Sequence, residues 1–442
     1  MRKGMIALMA LMLAGCAGGQ GVMPAAPVPD HFAQTGPRVV PEWRAMFGDA
    51  RLQALITLAL QENRDLRIAA LNAQAARASL TVARGAQMPT LEAQGSLVAT
   101  RTAADHLTGQ IALTSFELDL FGRLRAQTRA AQDRYLASEA GQRAARLTVI
   151  GAVAESYVAQ ALAQEQWQLT QSTLADWQVS LDLTRRLHDA GQASGSDVAQ
   201  AEGLVRQAEA DLAQRQRERE QAAHALALAV GAQPPADLPA PVGLMAAMLP
   251  ASLGAGVPSD LLLARPDIVQ AEYALRAAQA DVAAARAAFF PRLSLTAALG
   301  TLSPGLSGLF GGANRTWSYT PAVSVPLFPP SSLRGNLAQA KAARGIAVAQ
   351  YEKAIQTAFA EVADGISAQT TYGPQITAQM AAAAAADRRA SLSRLRYSAG
   401  VDSRLELLDA QRSAYAAHQT LLSTRAAALV GMVRLYRALG GM

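Results

Sequence analysis

The chain repeats itself. Asn63-Arg64-Asp65-Leu66 parallels Arg265-Pro266-Asp267-Ile268, and Met88-Pro89-Thr90-Leu91 parallels Phe290-Pro291-Arg292-Leu293, both at an offset of 202 residues. Leu120-Phe121 and Leu327-Phe328 lie 207 apart. Leu124-Arg125 and Leu333-Arg334, Ala190-Gly191 and Ala399-Gly400, and Ala201 and Ala410 all lie 209 apart. The offset therefore grows at two places only, between the prolines and the Leu-Phe pairs and just after Phe328. Loops tolerate insertions, whereas paired helices of fixed span do not. The pattern is a tandem duplication of one hairpin-like unit, and any fold for this chain must use that unit twice.

Each unit reads the same way. An Ala-rich helix, Leu52 to Ala86 or Pro266 to Ala288, runs into a proline. Short alternating strands follow: Leu91 to Leu97, Leu293 to Ala297 and Trp317 to Val325. The loop Pro304 to Arg315 is Gly-rich and reads as a flexible connection between strands. A long helix comes next, Leu124 to about His188 or Leu333 to about Tyr397. Leu147, Ile150, Ala154, Tyr157 and Ala161 are spaced three, four, three and four, a coiled-coil seam. At about 1.5 Å per residue such a helix reaches roughly 100 Å. Gly turns at 189–195 and 398–403 reverse the chain into a return helix. The domain reading is thus a first repeat over 42–232, a Pro-rich connecting segment over 233–258 and a second repeat over 259–442.

Two strands per unit give four per chain. Membrane barrels need about eight strands or more. Open sheet edges are not tolerated in lipid, so several chains would have to pool their strands. A coiled-coil envelope lipoprotein with short strands capping one end remains the alternative at this point.

Residues 1–15 carry a basic Arg2-Lys3 start and a short apolar run, which reads as a signal peptide and is too short to span a membrane. Leu13-Ala14-Gly15-Cys16 resembles the bacterial lipobox, which would make Cys16 the lipidated N-terminus of the mature chain. Ala17 is compatible with delivery to the outer membrane, and residues 16–41 read as a Gly-, Ala- and Pro-rich tether whose lipid anchors by methylene burial.

Composition narrows the function. Cys16 is the only cysteine, so no disulfide framework or cysteine metal cluster is possible, and the five histidines are scattered without ligand spacing. The net charge of +6 is not gathered into a basic tract, which argues against nucleic acid as a partner. No GxxxxGK, GxSxG or HExxH sequence occurs, and Gly305, Gly308, Gly311 and Gly312 lack phosphate-loop spacing. Neither an enzyme nor a cofactor is expected.

The ordered set of motifs resembles the TolC-like outer membrane factors, more narrowly the NodT-type efflux lipoproteins. Ser115-Phe116-Glu117-Leu118-Asp119-Leu120-Phe121-Gly122-Arg123 is similar to the family's strand-to-helix junction. Leu263-Ala264-Arg265-Pro266-Asp267-Ile268, Phe289-Phe290-Pro291-Arg292-Leu293-Ser294-Leu295, Leu407-Leu408-Asp409-Ala410-Gln411-Arg412 and Leu435-Tyr436-Arg437-Ala438-Leu439-Gly440-Gly441 match further family segments in order. Leu327-Phe328-Pro329-Pro330-Ser331-Ser332 departs from it, with two prolines where an Asp-Gly turn is usual, so a stiffer junction is expected.

The resemblance implies a mainly helical chain with a membrane β-barrel: a homotrimer with twelve strands in the outer membrane and a helical periplasmic tunnel. It implies passive conduction of small molecules such as drugs, fed by a periplasmic adaptor and an inner-membrane pump of the RND type. Type I protein secretion and metal efflux use the same architecture. It further implies a periplasmic gate at Asp197, Tyr397, Leu405, Asp409 and Arg412, with Asp409 as a threefold acidic ring, Leu405 as an apolar constriction and Arg412 paired to Asp197. The turns Gly191, Gln192, Ala193, Ser194 and Gly400, Val401, Asp402, Ser403 would receive the adaptor.

Overall fold

The computed structural model describes residues 42–99, 106–244, 264–309, 311–328 and 330–441. The lipobox, the tether and most of the connecting segment lie outside the described residues. The elements are α1 (Trp43–Met46), α2 (Ala50–Glu62), α3 (Arg64–Gly85), β1 (Leu91–Val98), β2 (His106–Leu118), α4 (Arg123–Asp189), α5 (Gly195–Val230), α6 (Pro266–Ala287), β3 (Arg292–Ser303), β4 (Arg315–Ser324), α7 (Pro330–Ser398) and α8 (Arg404–Ala438). Two compact units cut across the two sequence repeats. One holds Ala70–Gly141 and Asp267–Ala354; the other holds Gln142–Pro266, Ile355–Met442 and the segment up to Ala69.

In the first unit the four strands form one antiparallel sheet in the order β1-β2-β3-β4. Side chains alternate across a strand, so register decides which residues share a face. Leu97 pairs Leu107 and Ala93 pairs Ile111; Ile111 pairs Leu299, which pairs Trp317. Leu293, Leu295 and Ala297 continue that face opposite Val323, Pro321 and Tyr319. The other face carries Gln94 and Gln110, with Ser294, Thr296, Ser318, Thr320 and Ser324. One face is thus apolar and one polar, and the apolar face is largely open: Trp317 is 79% exposed. The pairing slips between Leu113 and Phe116, where Ser115 takes a positive φ of 49°. At Gly300 any Cβ would run into the Gly109 carbonyl oxygen, so close strand approach requires glycine there. β3 spans twelve residues, well beyond the five expected at Leu293 to Ala297. The expected flexible loop at 304–315 is organised: two 3-10 turns, Leu306–Gly308 and Gly312–Asn314, are tied by the Asn314 amide donating to the Gly308 carbonyl at 3.0 Å.

The strand-to-helix junction is built from the sequence motif itself. Asp119 accepts from the Leu124 and Arg125 amides at 3.2 and 2.8 Å, capping α4, while the Arg123 Nε donates to Glu117 at 3.0 Å. Phe121 stacks on Phe290 at 4.8 Å. In the other copy Pro330 is the first residue of α7, where its missing N–H costs nothing.

The second unit is helical. The expected single helix Leu52 to Ala86 is broken into α2 and α3 at Asn63, whose extended ψ of 128° ends the first. Its Oδ1 accepts from the Asp65 and Leu66 amides while its Nδ2 donates to the Ala229 carbonyl at 2.8 Å. The apolar core gathers Trp43, Met46, Leu55, Ile56, Val153, Leu226, Val230, Val362, Leu435 and Tyr436. Ile150, Ala154 and Tyr157 of the expected seam are buried there. Arg265, 6% exposed, donates to the Ala438 carbonyl at 2.7 Å and to Glu361 at 2.9 Å, fastening the head of the second repeat to its own helices. No helix among the described residues is long and apolar enough to cross a membrane.

Candidate functional site: the hairpin tips

The two long hairpins, α4/α5 and α7/α8, end in turns of the same construction. Gly191 and Gly400 have φ of 74° and 71°, the left-handed conformation that closes a helix C-terminus. The Gln192 amide returns to the Leu187 carbonyl at 2.8 Å, and the Val401 amide to the Arg396 carbonyl at 2.9 Å. Ser194 and Ser403 then cap the return helices. The eight turn residues predicted for docking all lie in these reversals and are exposed or half-buried.

Local chemistry separates the tips. At the first, Ser194 and Asp197 close a full capping box, with the Ser194 amide donating to Asp197 Oδ2 at 2.9 Å and the Asp197 amide to Ser194 Oγ at 3.1 Å. The hydrogen bonds from Ser194 hold the Asp197 carboxyl below its ordinary pKa. At the second, Ser403 Oγ accepts from the Glu406 amide at 3.3 Å, but the Glu406 carboxylate is drawn across the hairpin to Arg389 at 2.9 Å. Arg389 also holds Asp409 at 2.8 Å. Arg396 holds Asp402 at 2.7 Å.

Asp197 and Arg412 do not pair within the chain: Asp197 is committed to Ser194, and Arg412 is exposed with no ion-pair partner among the described residues. Leu405 is 66% exposed beside Asp409. Tyr397 lies under the guanidinium of Arg404, 5.3 Å from its ring centre.

Arg404 is the residue that sequence reading missed. It is only 5% exposed, and its Nη2 donates to Ser180 on α4, to Oγ at 2.9 Å and to the carbonyl at 3.3 Å. Burial lowers its pKa from the ordinary arginine value, and it keeps its charge at neutral pH. It begins a polar seam between α8 and the first hairpin. Tyr415 shares a hydrogen bond with Thr170 at 2.8 Å, Gln166 donates to Ser423 at 3.2 Å, and Arg215 bridges Gln166 and Gln419 at 3.1 Å each. The core around Tyr436, by contrast, is apolar.

Known proteins bear on this arrangement. The pattern of the outer membrane efflux protein family matches residues 55–232 and 257–441. The chain is 41% identical to the toluene efflux pump outer membrane protein TtgC of Pseudomonas putida, over 90% of this chain and 84% of that protein. It is 38% identical to the outer membrane protein OprJ of Pseudomonas aeruginosa, over 100% of this chain and 97% of that one. Its fold is similar to the open state of the Neisseria gonorrhoeae MtrE outer membrane channel, with a TM-score of 0.87, 36% identity, and 96% and 97% of the two chains covered.

Proposed function

This chain belongs to the outer membrane efflux protein family, and on that premise we propose that three copies of it close one barrel and one tunnel through which small molecules leave the cell. It is the outer-membrane channel component of an efflux system. The observation that supports the pooled barrel is the sheet. It has one apolar face, one polar face and two edge strands, β1 and β4, with no partner among the described residues. An open apolar sheet with bare edges is a template for further strands. In the order β1 to β4 successive strands alternate in direction, so β4 of one copy meets β1 of the next as an antiparallel neighbour. Closure turns the apolar face to lipid and leaves the Ser, Thr and Gln face lining the pore.

Cys16 carries the lipid anchor. A periplasmic adaptor meets the Gly191 and Gly400 turns, and an RND-type inner-membrane pump supplies energy. Cargo is drugs or other toxic small molecules; the names of TtgC and its relatives, toluene and antibiotic efflux pump proteins, support that class. Tyr397, Leu405, Asp409 and Arg412, with Asp197, form the gate, and in the trimer Arg412 finds its acid on a neighbouring copy.

Native mass in detergent followed by conductance in a planar bilayer tests this. The expected result is a trimer with discrete steps. Asp409→Ala and Arg412→Ala should then raise the open fraction, and unchanged gating in both would remove these residues from the gate. Cross-linking from Ser194 and Ser403 to a co-expressed adaptor tests the docking turns.

A further inference from the structure

A single charged residue stands on the apolar face of the sheet. Register puts Arg315 there: it pairs Thr301, which pairs Gly109, which pairs Gly95, two positions beyond the row Trp317, Leu299, Ile111 and Ala93. Every other residue that the paired strands give to this face is uncharged. Arg315 is exposed and makes no ion pair among the described residues. A charge on a lipid-facing surface is costly at mid-membrane and nearly free at the boundary, so its depth decides what it can do.

The topology sets that depth. The four helices that join the strands, α3, α4, α6 and α7, all connect at the end marked by Leu91, Leu118, Arg292 and Ser324. Arg315 is at the opposite end, where β3 returns into β4. Nine residues separate it from Ser324. At about 3.4 Å per residue and a barrel tilt of about 40°, that rise is roughly 23 Å, against an apolar band of about 25 Å. With the helices in the periplasm, Arg315 therefore marks the outer boundary of the band. The β3–β4 loop folds back onto this same face. Leu309 covers Gly109, its Cδ2 3.7 Å from where a Cβ would stand. A Cβ on Gly308 would collide with Ser303, which shares this face and is 2% exposed. Leu306, in the first turn of the loop, is 71% exposed.

We propose that Arg315 holds the phosphate of an outer-leaflet glycolipid whose acyl chains lie along Trp317 and Leu299, with Leu306 and Leu309 beside them. This inference rests on the channel reading above, which turns the face to lipid, and adds a ligand to it. The outer leaflet of a bacterial outer membrane is built of a glycolipid that carries phosphates where its sugars meet its acyl chains. A guanidinium offers two parallel donors to a phosphate and keeps its charge at a membrane boundary. An arginine at the rim places that fork at the level of the phosphates, and the exposed apolar residues below and beside it match the chains. Three copies give three such seats per barrel. Extension of Arg315 into water alone is the competing outcome, and dependence on the phosphate separates the two.

The test uses the full-length lipidated protein in detergent, titrated with diphosphorylated lipid A and read by native mass spectrometry, with conductance measured in parallel. The wild-type trimer should hold up to three lipid A molecules and bind the monophosphorylated form more weakly. Arg315→Gln should weaken lipid A binding about tenfold, the scale of one lost charge-assisted contact, and leave conductance unchanged. Arg315→Lys should keep part of the affinity. Arg292→Gln, which removes a charge from the polar face at the other end of β3, should have no effect. Equal binding by wild type and Arg315→Gln would leave Arg315 reaching only to water and overturn the seat. Equal weakening by Arg292→Gln would make the attraction one of net charge and overturn it too. Displacement of the lipid by an equal concentration of inorganic phosphate would reduce it to a site for free anions. A conducting trimer that retains no lipid A defeats the seat alone, whereas a chain that neither trimerises nor conducts defeats the channel reading and the seat with it.

Discussion

At the first tip an acid serves its own helix; at the second, the acid in the same place serves its hairpin partner. Asp197 closes a box with Ser194, whereas Glu406, its repeat equivalent, reaches Arg389 together with Asp409. Midway along, Glu165 clamps the first hairpin to Leu244 while Pro374 interrupts the second. One duplicated unit has therefore diverged into a braced arm and a yielding arm. Duplication supplied identical lengths and turns, and point changes at matched positions supplied the difference.

The largest expected effect comes from exchanging that difference. Glu165→Pro removes the clamp and a main-chain donor together and should destabilise the chain by about 3 kcal/mol or more. Hydrogen exchange should then localise new opening to α4 beyond residue 165. If exchange there stays slow, the clamp is not what distinguishes the arms. Next come the caps. Ser194→Ala breaks a reciprocal pair and should cost about 1 kcal/mol, whereas Ser403→Ala removes a single long bond and should cost about 0.5 kcal/mol. Equal shifts in thermal unfolding would erase the comparison.

Acid should act on the first tip specifically through Asp197. Its folded pKa is depressed, so its stabilisation is complete above the ordinary carboxylate value of about 4 and is lost as pH falls through the lower folded value. Exchange at the start of α5 should speed up on acidification below about pH 4, and the Ser194→Ala chain, which keeps only the main-chain donor to Asp197, should show a weaker dependence there. The smallest effect is expected of Arg389→Ala. Arg389, Glu406 and Asp409 are all exposed by 45% or more, so the loss should stay below about 0.5 kcal/mol. A shift of several degrees in melting temperature would mean the network is stronger than surface pairs are.

Much of this was legible in the sequence. The constant offset of 209 gave both long helices within three residues, and glycine at matched positions gave both turns. Alternation located β1 and β4. What escaped has physical reasons. β3 extends past Ala297 because Gly300 permits a close strand approach that no periodicity announces. Asn63 looked like a residue inside a helix, but its side chain serves two backbones at once. Arg404 looked like one more arginine on an exposed helix. Only the seating of α8 on α4 buries it, and tertiary burial of a single polar residue leaves no local signature.

The claim on which everything else depends is that separate copies complete the sheet. Cross-linking between cysteines placed at Gln94 on β1 and at Ser318 on β4, both on the polar face, with Cys16 replaced by serine, tests it directly. A short scan of neighbouring polar-face positions on β4 fixes the register. Pooled strands give oxidation-dependent species that stop at three linked chains, with none beyond. Linkage that ends at dimers, or no linkage at any register in a folded membrane-inserted protein, would contradict it.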